Sequence, residues 1–297
     1  MSSEPLAVPD GLEDAAEIFL KLRPRLFGIA YRMLGTVVEA EDLVQDTWLR
    51  WQATDRSVVL DPPAFLATTI TRLAINLIQS ARANRETYIG PWLPEPVDTR
   101  NDPYLGAERG EALKFAVLVL LEKLSPTERA AYVLREAFDF SYRTIGEMLQ
   151  LSEANARQLA ARARKGISKD RREVASPSRQ RELLEVFIAA AQKGDLAGLQ
   201  DLFAAEIVSY SDGGGAATAA RLPVVGRERV ARFISAFAPH FWINTKLEWV
   251  QANGQASVLI SRAEELLALA TVDASSQGIE QILWIMNPAK LKTITRS

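Results

Sequence analysis

The segment LSPTERAAYVLREAFDFSYRTIGEMLQLSEANARQLAARARKGI, residues 124–167, admits few folds. Ser125 suits a helix N-cap, Pro126 the first helical position, and Glu128 stands three residues after the cap, completing a capping box. Ala131, Val133, Leu134 and Phe138 supply the inner face of that helix. Ser141 opens a second short helix with Ile145, Met148 and Leu149 inward, and Gly146 is small where two helices must cross. A turn follows at Gln150, Leu151 and Ser152, with Leu151 plugging it. A third helix from near Glu153 buries Ala156 and Leu159. The middle of such a turn favours Gly because the residue sits at positive φ, so Gln150 costs some stability there. The spacing is that of a helix-turn-helix, whose last helix fits a DNA major groove. A helical hairpin with a charged surface is the competing reading.

The outer side of the third helix carries Asn155, Arg157, Gln158 and Arg162. Asn and Gln pair bidentately with adenine, and Arg with guanine. Arg164, Lys165, Lys169, Arg171 and Arg172 continue beyond it as phosphate contacts, which set affinity and register rather than sequence. A solvated basic helix end that complements the helix dipole also accounts for Lys165 and Lys169.

The chain has 297 residues, enough for two or three domains, and a net charge of −2. A nucleic-acid binder without a global basic excess must concentrate its cations locally, and residues 157–181 do so. No cysteine is present, which excludes disulfides and thiolate zinc sites, and the single His240 excludes a multi-histidine metal site. No cofactor or metal is called for. No apolar run reaches the roughly 18–20 residues that span a bilayer, and no basic-then-apolar leader is visible. The cytoplasm is the expected location.

Three blocks follow one another. Residues 14–85 read as helical. The acidic stretch VVEAEDLVQDTWLRW places Ala40, Leu43, Val44, Thr47, Trp48 and Trp51 on one face and Glu39, Glu41, Asp42 and Asp46 on the other. After Asp61-Pro62-Pro63, a further helix holds Phe65, Leu66, Ile70, Leu73, Leu77 and Ile78 inward. Residues 86–106 hold four prolines and two glycines and form a linker. Its Tyr88, Trp92, Leu93 and Tyr104 imply docking, either onto a separate surface or onto its own neighbours. Residues 107–172 are the helix-turn-helix domain, led by a helix at EALKFAVLVLLEKL. Residues 178–297 open with one amphipathic helix, RQRELLEVFIAAAQKGDLAGLQDLF, with another at GRERVARFISAFAP. The short apolar runs EIVSYSD, LPVVG, TKLEWVQA, ASVLIS, LLALATVDA and IEQILWIMN read as strands, with Asn253-Gly254 as a hairpin turn. This order predicts an α+β domain, a curved sheet with helices on one side.

Together these residues resemble the sigma-70 family of bacterial transcription initiation factors, and within it the extracytoplasmic-function class. LVQDTWLR at 43–50 and PAFLATTITRLAINLI at 63–78 match region 2, and residues 124–167 match region 4. Residues 178–297 resemble a SnoaL-like domain, which a subgroup of this class carries fused at the C-terminus. That subgroup is marked by Trp-Leu-Pro-Glu-Pro, Asp-Gly-Gly-Gly-Lys and Asn-Pro-Asp-Lys-Leu motifs. Here they stand as Trp92-Leu93-Pro94-Glu95-Pro96, Asp212-Gly213-Gly214-Gly215-Ala216 and Asn287-Pro288-Ala289-Lys290-Leu291. Ala216 and Ala289 depart from the pattern, which puts the C-terminal control mechanism in question.

The resemblance implies two all-α sigma domains and a C-terminal α+β SnoaL-like cone with a curved sheet. It implies a factor without catalytic residues that gives core RNA polymerase its promoter specificity. Asp42, Gln45, Asp46 and Trp48 would dock on the clamp helices of the polymerase β′ subunit, with core packing the competing reading for one of Trp48 and Trp51. Arg72, Asn76, Arg82 and Arg85 would handle the −10 element. Asn155, Arg157, Gln158, Arg162 and Arg164 would read the −35 element. Trp92 to Pro96 would meet Asp212, Gly213, Gly214, Gly215, Asn287 and Lys290, so that the C-terminal domain modulates activity in cis. A small molecule in the C-terminal cavity is a further partner the resemblance leaves room for. Two other classes compete. One is a helix-turn-helix regulator with a sensing domain; the acidic face of residues 39–51 speaks against it. The other is an enzyme of the SnoaL-like type, for which Asp212, His240, Tyr210 and Trp284 are the available groups. A His beside Pro239 and Phe241 is more often structural, and Asp212 before three glycines more often forms a turn.

Overall fold

The computed structural model describes residues 10–85, 88–99, 113–169 and 175–294, and their side chains except at 10, 81–87, 168 and 169. The chain forms two compact units that interleave along the sequence, Met1–Ser80 with Ser125–Ala161 and Ala81–Leu124 with Arg162–Ser297. Helices α1 (Asp10–Leu34), α2 (Val37–Ala53) and α3 (Pro62–Arg85) come first, with a short 3-10 turn at Arg56–Val58. Next come α4 (Phe115–Leu121) and the trio α5 (Pro126–Glu136), α6 (Tyr142–Leu149) and α7 (Glu153–Lys169). The remainder runs α8 (Pro177–Lys193), α9 (Leu196–Leu202), β1 (Phe203–Asp212), β2 (Val224–Val225) and α10 (Arg227–Phe241). It ends with β3 (Lys246–Ala252), β4 (Gln255–Arg262), β5 (Glu265–Ser275), β6 (Gly278–Ile285) and α11 (Pro288–Leu291).

In the first unit, α2 buries Ala40, Leu43, Val44, Thr47 and Trp51. The Trp51 indole donates to the Ala15 carbonyl at 3.0 Å and tilts against Phe65, so this tryptophan belongs to the core. The α5 capping box forms as the sequence dictates, with the Ser125 hydroxyl accepting from the Glu128 amide and the Glu128 carboxylate accepting from the Ser125 amide. Gln150 takes the left-handed conformation, φ 58°, that the turn demands. A Cβ on Gly146 would lie 2.7 Å from the Leu151 carbonyl oxygen, so no side chain fits there. Arg129 is buried and donates to the Met33 carbonyl at 2.6 Å, while Arg25 donates to the Phe138 carbonyl at 3.1 Å and lies over the Phe140 ring. Two cations thereby tie α1 to α5 and to the turn that follows it.

The second unit is built on a six-stranded sheet in the order β2-β1-β6-β5-β4-β3, in which β1 and β6 run parallel and the other neighbours antiparallel. The expected curved-sheet cone is not what forms: the sheet stays open, neither closing nor curling, with β2 and β3 as its two edges. The reason is that separate layers cover both faces. On one side Leu184, Phe187, Ile188, Val230 and Ile234 of α8 and α10 pack against Val258, Ile260, Val272 and Ile282. On the other side Leu93, Phe115, Leu291 and Ile294 pack against Val250, Leu259, Leu269, Leu283 and Ile285. A sheet with both faces covered has no concave face left to bury by curling, and its strands read as continuous apolar runs.

Two helices are shorter than expected. The stretch foreseen as one helix breaks into α8 and α9, because Gly194 caps α8 in the left-handed region at φ 63° and the Asp195 carboxylate caps α9 from the Gly198 amide at 3.0 Å. In EALKFAVLVLLEKL only Phe115–Leu121 is α-helical among the described residues. Its entry is pinned instead: the Phe115 amide donates to Gln255 Oε1 at 3.0 Å, and the Leu113 carbonyl accepts from Asn253 Nδ2 at 3.1 Å. The Asn253-Gly254 hairpin turn forms as foreseen, both residues at positive φ (53° and 71°).

Candidate nucleic-acid interface and linker clamp

On α7, Asn155, Arg157, Gln158, Arg162 and Arg164 are all exposed, while Ala156, Ala160 and Ala163 face inward. Ser152 caps the helix from the Asn155 amide at 3.2 Å. Arg157 pairs with Glu153 at 2.9 Å and lies over the Tyr142 ring at 5.3 Å, which fixes its direction before any ligand arrives. Lys169 lies in α7 without a described side chain, and Arg171 and Arg172 lie outside the described residues.

Arg72 and Asn76 line one cleft with Arg50, Phe65, Thr68, Thr69 and Leu73, about 300 Å³ in volume. It offers an aromatic ring, two guanidinium groups, two hydroxyls and an amide, the mixture that can hold an unstacked base. The Arg72 Nε also donates to the Met148 carbonyl at 2.9 Å, so this residue is shared with α6. Arg82 and Arg85 lie in α3, but their side chains are outside the described set. On α2, Asp42, Gln45 and Asp46 are exposed, and Trp48 is half-buried with its ring 5.0 Å from that of Phe19. The two tryptophans thus part ways: Trp51 is core, and Trp48 keeps an accessible edge beside the acidic face.

The second unit gathers most of the foreseen regulatory residues into one clamp. Asp212 is fully buried at the end of β1. Its Oδ1 accepts from the Tyr88 hydroxyl at 2.5 Å, and its Oδ2 accepts from the Leu93 amide at 2.8 Å and from Lys290 Nζ at 2.7 Å. Lys290, equally buried, also donates to the Leu93 carbonyl and lies over the Trp92 ring at 4.4 Å. Asn287 Nδ2 donates to the Tyr88 hydroxyl at 3.0 Å. A Cβ on Gly214 would collide with the Asn287 amide nitrogen, which explains glycine at that step. Burial, helped by the Asp212 carboxylate, pushes the Tyr88 hydroxyl above its ordinary range. Thr293 donates to the Pro96 carbonyl at 3.0 Å, Pro94 is buried, and Glu95 is half-buried.

Asp212 is therefore no simple turn former: its carboxylate replaces water for a buried lysine, an amide and a phenol. Gly213 and Gly215 lie in the loop after it. Ala216 and Ala289 are both exposed, and Lys290 supplies the clamp's cation. Tyr210, Asp212, Trp284 and His240 do not converge. Tyr210 and Asp212 face the α4 side of the sheet, Trp284 the α10 side, and His240 is exposed near the end of α10. Sequence reasoning missed Asn253. It was legible only as a turn residue, yet it is buried, its Oδ1 accepts from the Val97 amide at 2.9 Å, and it holds Leu113 as well. Nothing local marks an Asn-Gly turn whose side chain points inward.

Family models match the sigma-70 region 2 over residues 18–84 and the sigma-70 region 4 over residues 114–166. The ECF RNA polymerase sigma factor SigJ of Mycobacterium tuberculosis (strain ATCC 25618 / H37Rv) is 40% identical over 221 residues, 73% of this chain and 70% of that protein. The probable ECF RNA polymerase sigma factor SigI of Mycobacterium tuberculosis (strain CDC 1551 / Oshkosh) is 28% identical over 273 residues, 91% of this chain and 92% of that protein. The crystal structure of the Mycobacterium tuberculosis extracytoplasmic function sigma factor SigJ superposes with a TM-score of 0.76 at 32% identity, covering 94% of this chain and 99% of that one. This chain belongs to the extracytoplasmic-function RNA polymerase sigma factors of the sigma-70 family. Its work is to direct transcription initiation, with core RNA polymerase and promoter DNA as partners. No helix among the described residues is long and apolar enough to cross a membrane.

Proposed function

We propose a division of labour among these surfaces. The acidic face of α2, through Asp42, Gln45 and Asp46 with Trp48 as anchor, docks on the clamp helices of the polymerase β′ subunit; charge steers the encounter and the aromatic edge holds it. The cleft holding Arg72 and Asn76 captures a base of the −10 element, with Arg82 and Arg85 on the adjoining strand. Asn155, Arg157, Gln158, Arg162 and Arg164 read the −35 element. The unit built on the open sheet is a SnoaL-like domain by its motifs, and it modulates the factor in cis by gripping the linker. A small molecule in its cavity tunes that grip.

The observation that carries the regulatory part is the buried Asp212–Lys290 pair closed on Tyr88, Trp92 and Leu93. A second contact bears on promoter reading. The −10 and −35 elements lie on the order of 20 base pairs apart, roughly 70 Å along B-DNA. Arg72 of the −10 cleft donates to the main-chain carbonyl of Met148 in α6, the helix that precedes the −35-reading helix α7. Both elements cannot be read in that arrangement, so it is a closed form, and promoter engagement separates α5 and α6 from α1 and α3.

The test is initiation in vitro with purified core polymerase, comparing the intact chain with Lys290→Met. Loosening the clamp is expected to change initiation by about fivefold or more. Equal activity of the two proteins, with the variant shown to be folded, rejects control through the linker. Failure of the intact chain to bind core rejects the α2 docking surface.

A further inference from the structure

Between α10 and the helix-covered face of the sheet lies an apolar cavity of about 180 Å³. Phe233, Phe237, Phe241, Trp242, Trp284 and Met286 form most of its wall, and no charged side chain lines it. The rings meet edge to face rather than filling the space, Phe241 at 88° to Trp242 and 82° to Trp284. Phe237 lines the cavity and is 49% exposed, so its ring stands where the cavity meets solvent. Among the lining residues, Ser211 and Thr218 offer hydroxyls and Trp242 and Trp284 carry indole N–H donors.

We propose that this cavity binds a neutral, flat aromatic molecule of one or two fused rings bearing a single hydroxyl or carbonyl, and that its occupancy changes the hold on the linker. Size follows from volume, since an apolar cavity of about 150 Å³ already takes benzene. Flatness follows from the aromatic walls, which offer ring edges and faces for offset or edge-on contact. Neutrality follows from the lining, because burying an unpaired charge there would cost far more than the contacts return.

The coupling is geometric. Ser211 lines the cavity, and its neighbour Asp212 points from the opposite face of β1 into the linker clamp. Met286 lines the cavity while its amide donates to the Asp212 carbonyl at 2.8 Å. Thr218, Ala219 and Ala220 form a wall shared with a second, more polar cleft that reaches Ile89 and Gly90 of the linker. A ligand that moves this wall moves the seat of the linker. This second half rests on the linker-clamp reading above, whereas binding itself does not.

The test is calorimetric titration of the full chain with 1-naphthol and, separately, with 1-naphthoate, followed by hydrogen exchange across residues 88–96. Saturable binding of the naphthol, at least about tenfold tighter than the carboxylate, is expected. Phe237→Ala, at a half-exposed position, and Thr218→Trp, which fills the mouth, should each weaken it by about tenfold while the melting temperature holds. Exchange at 88–96 should change on saturation. Comparable binding of the carboxylate overturns the ligand class. Absence of saturable binding, or unchanged affinity in both folded variants, overturns the site. Binding that leaves exchange at 88–96 unaltered overturns the coupling, and it leaves the clamp itself to be judged by the Lys290→Met transcription result.

Discussion

The helix-turn-helix and the linker clamp are both organised by polar side chains, but over opposite scales of sequence. Ser125 reaches Glu128 and Ser141 reaches Thr144, three residues away in each case. Asp212 reaches Tyr88 across 124 residues, Lys290 reaches Leu93 across 197, and Asn253 reaches Leu113 across 140. The first kind sits at the surface, where water competes and each bond is worth about 1 kcal/mol. The second kind is buried, where losing one partner strands the other. The molecule therefore combines a locally specified helix-turn-helix with a linker contact that exists only once a sheet has formed.

The sharpest way to break this comparison is Lys290→Met. Removing the cation leaves the Asp212 carboxylate buried without its charge partner, and urea unfolding should show a loss of about 3–5 kcal/mol. Asp212→Asn combined with Lys290→Met should recover much of that loss, since the stranded charge is gone. A single-variant loss below about 1 kcal/mol would mean that the pair is solvated.

Asn253→Ala comes next. It strands the Val97 amide and the Leu113 carbonyl, for an expected loss of about 2 kcal/mol. Asn253→Gly keeps the positive-φ turn and isolates the side-chain contribution; if it unfolds like wild type, the buried amide carries no weight.

A smaller effect of opposite sign is expected in the local element. Gln150→Gly relieves the left-handed residue and should stabilise by about 0.5–1 kcal/mol, read from thermal unfolding. A destabilised variant would show that the Gln150 side chain contributes more than its backbone costs.

The smallest effect concerns pH. The Tyr88 hydroxyl is held above its ordinary value of 10.0, with burial the main cause, so its contribution is fully present below that pH. Above about pH 10 the unfolded chain ionises before the folded one, and stability should fall as pH rises further. Tyr88→Phe should flatten that limb of the curve. An unchanged limb would place the high-pH loss in other groups.

Legibility followed the same division. The caps, the turn at Gln150 and the inner stripes were readable because each depends on residues within one or two helical turns. The break at Gly194 was equally local and was passed over because the apolar stripe continues on either side of it. Trp48 and Trp51 could not be told apart from spacing, since both fall at the margin of one helical face; packing against Ala15 and Phe65 sends Trp51 inward. Asp212 read as a turn former because nothing near it in the chain announces Lys290.

By itself, the sequence determined the helix caps around the helix-turn-helix, which strands exist and where the hairpin turns, because these follow from capping, periodicity and φ preference over a few residues. Only the tertiary structure decided that the sheet stays open, that the linker and α4 form its second cover, and that Asp212, Asn253 and Lys290 are buried partners of the linker. Those outcomes depend on which surfaces exclude water together, and no local window of the chain contains that information.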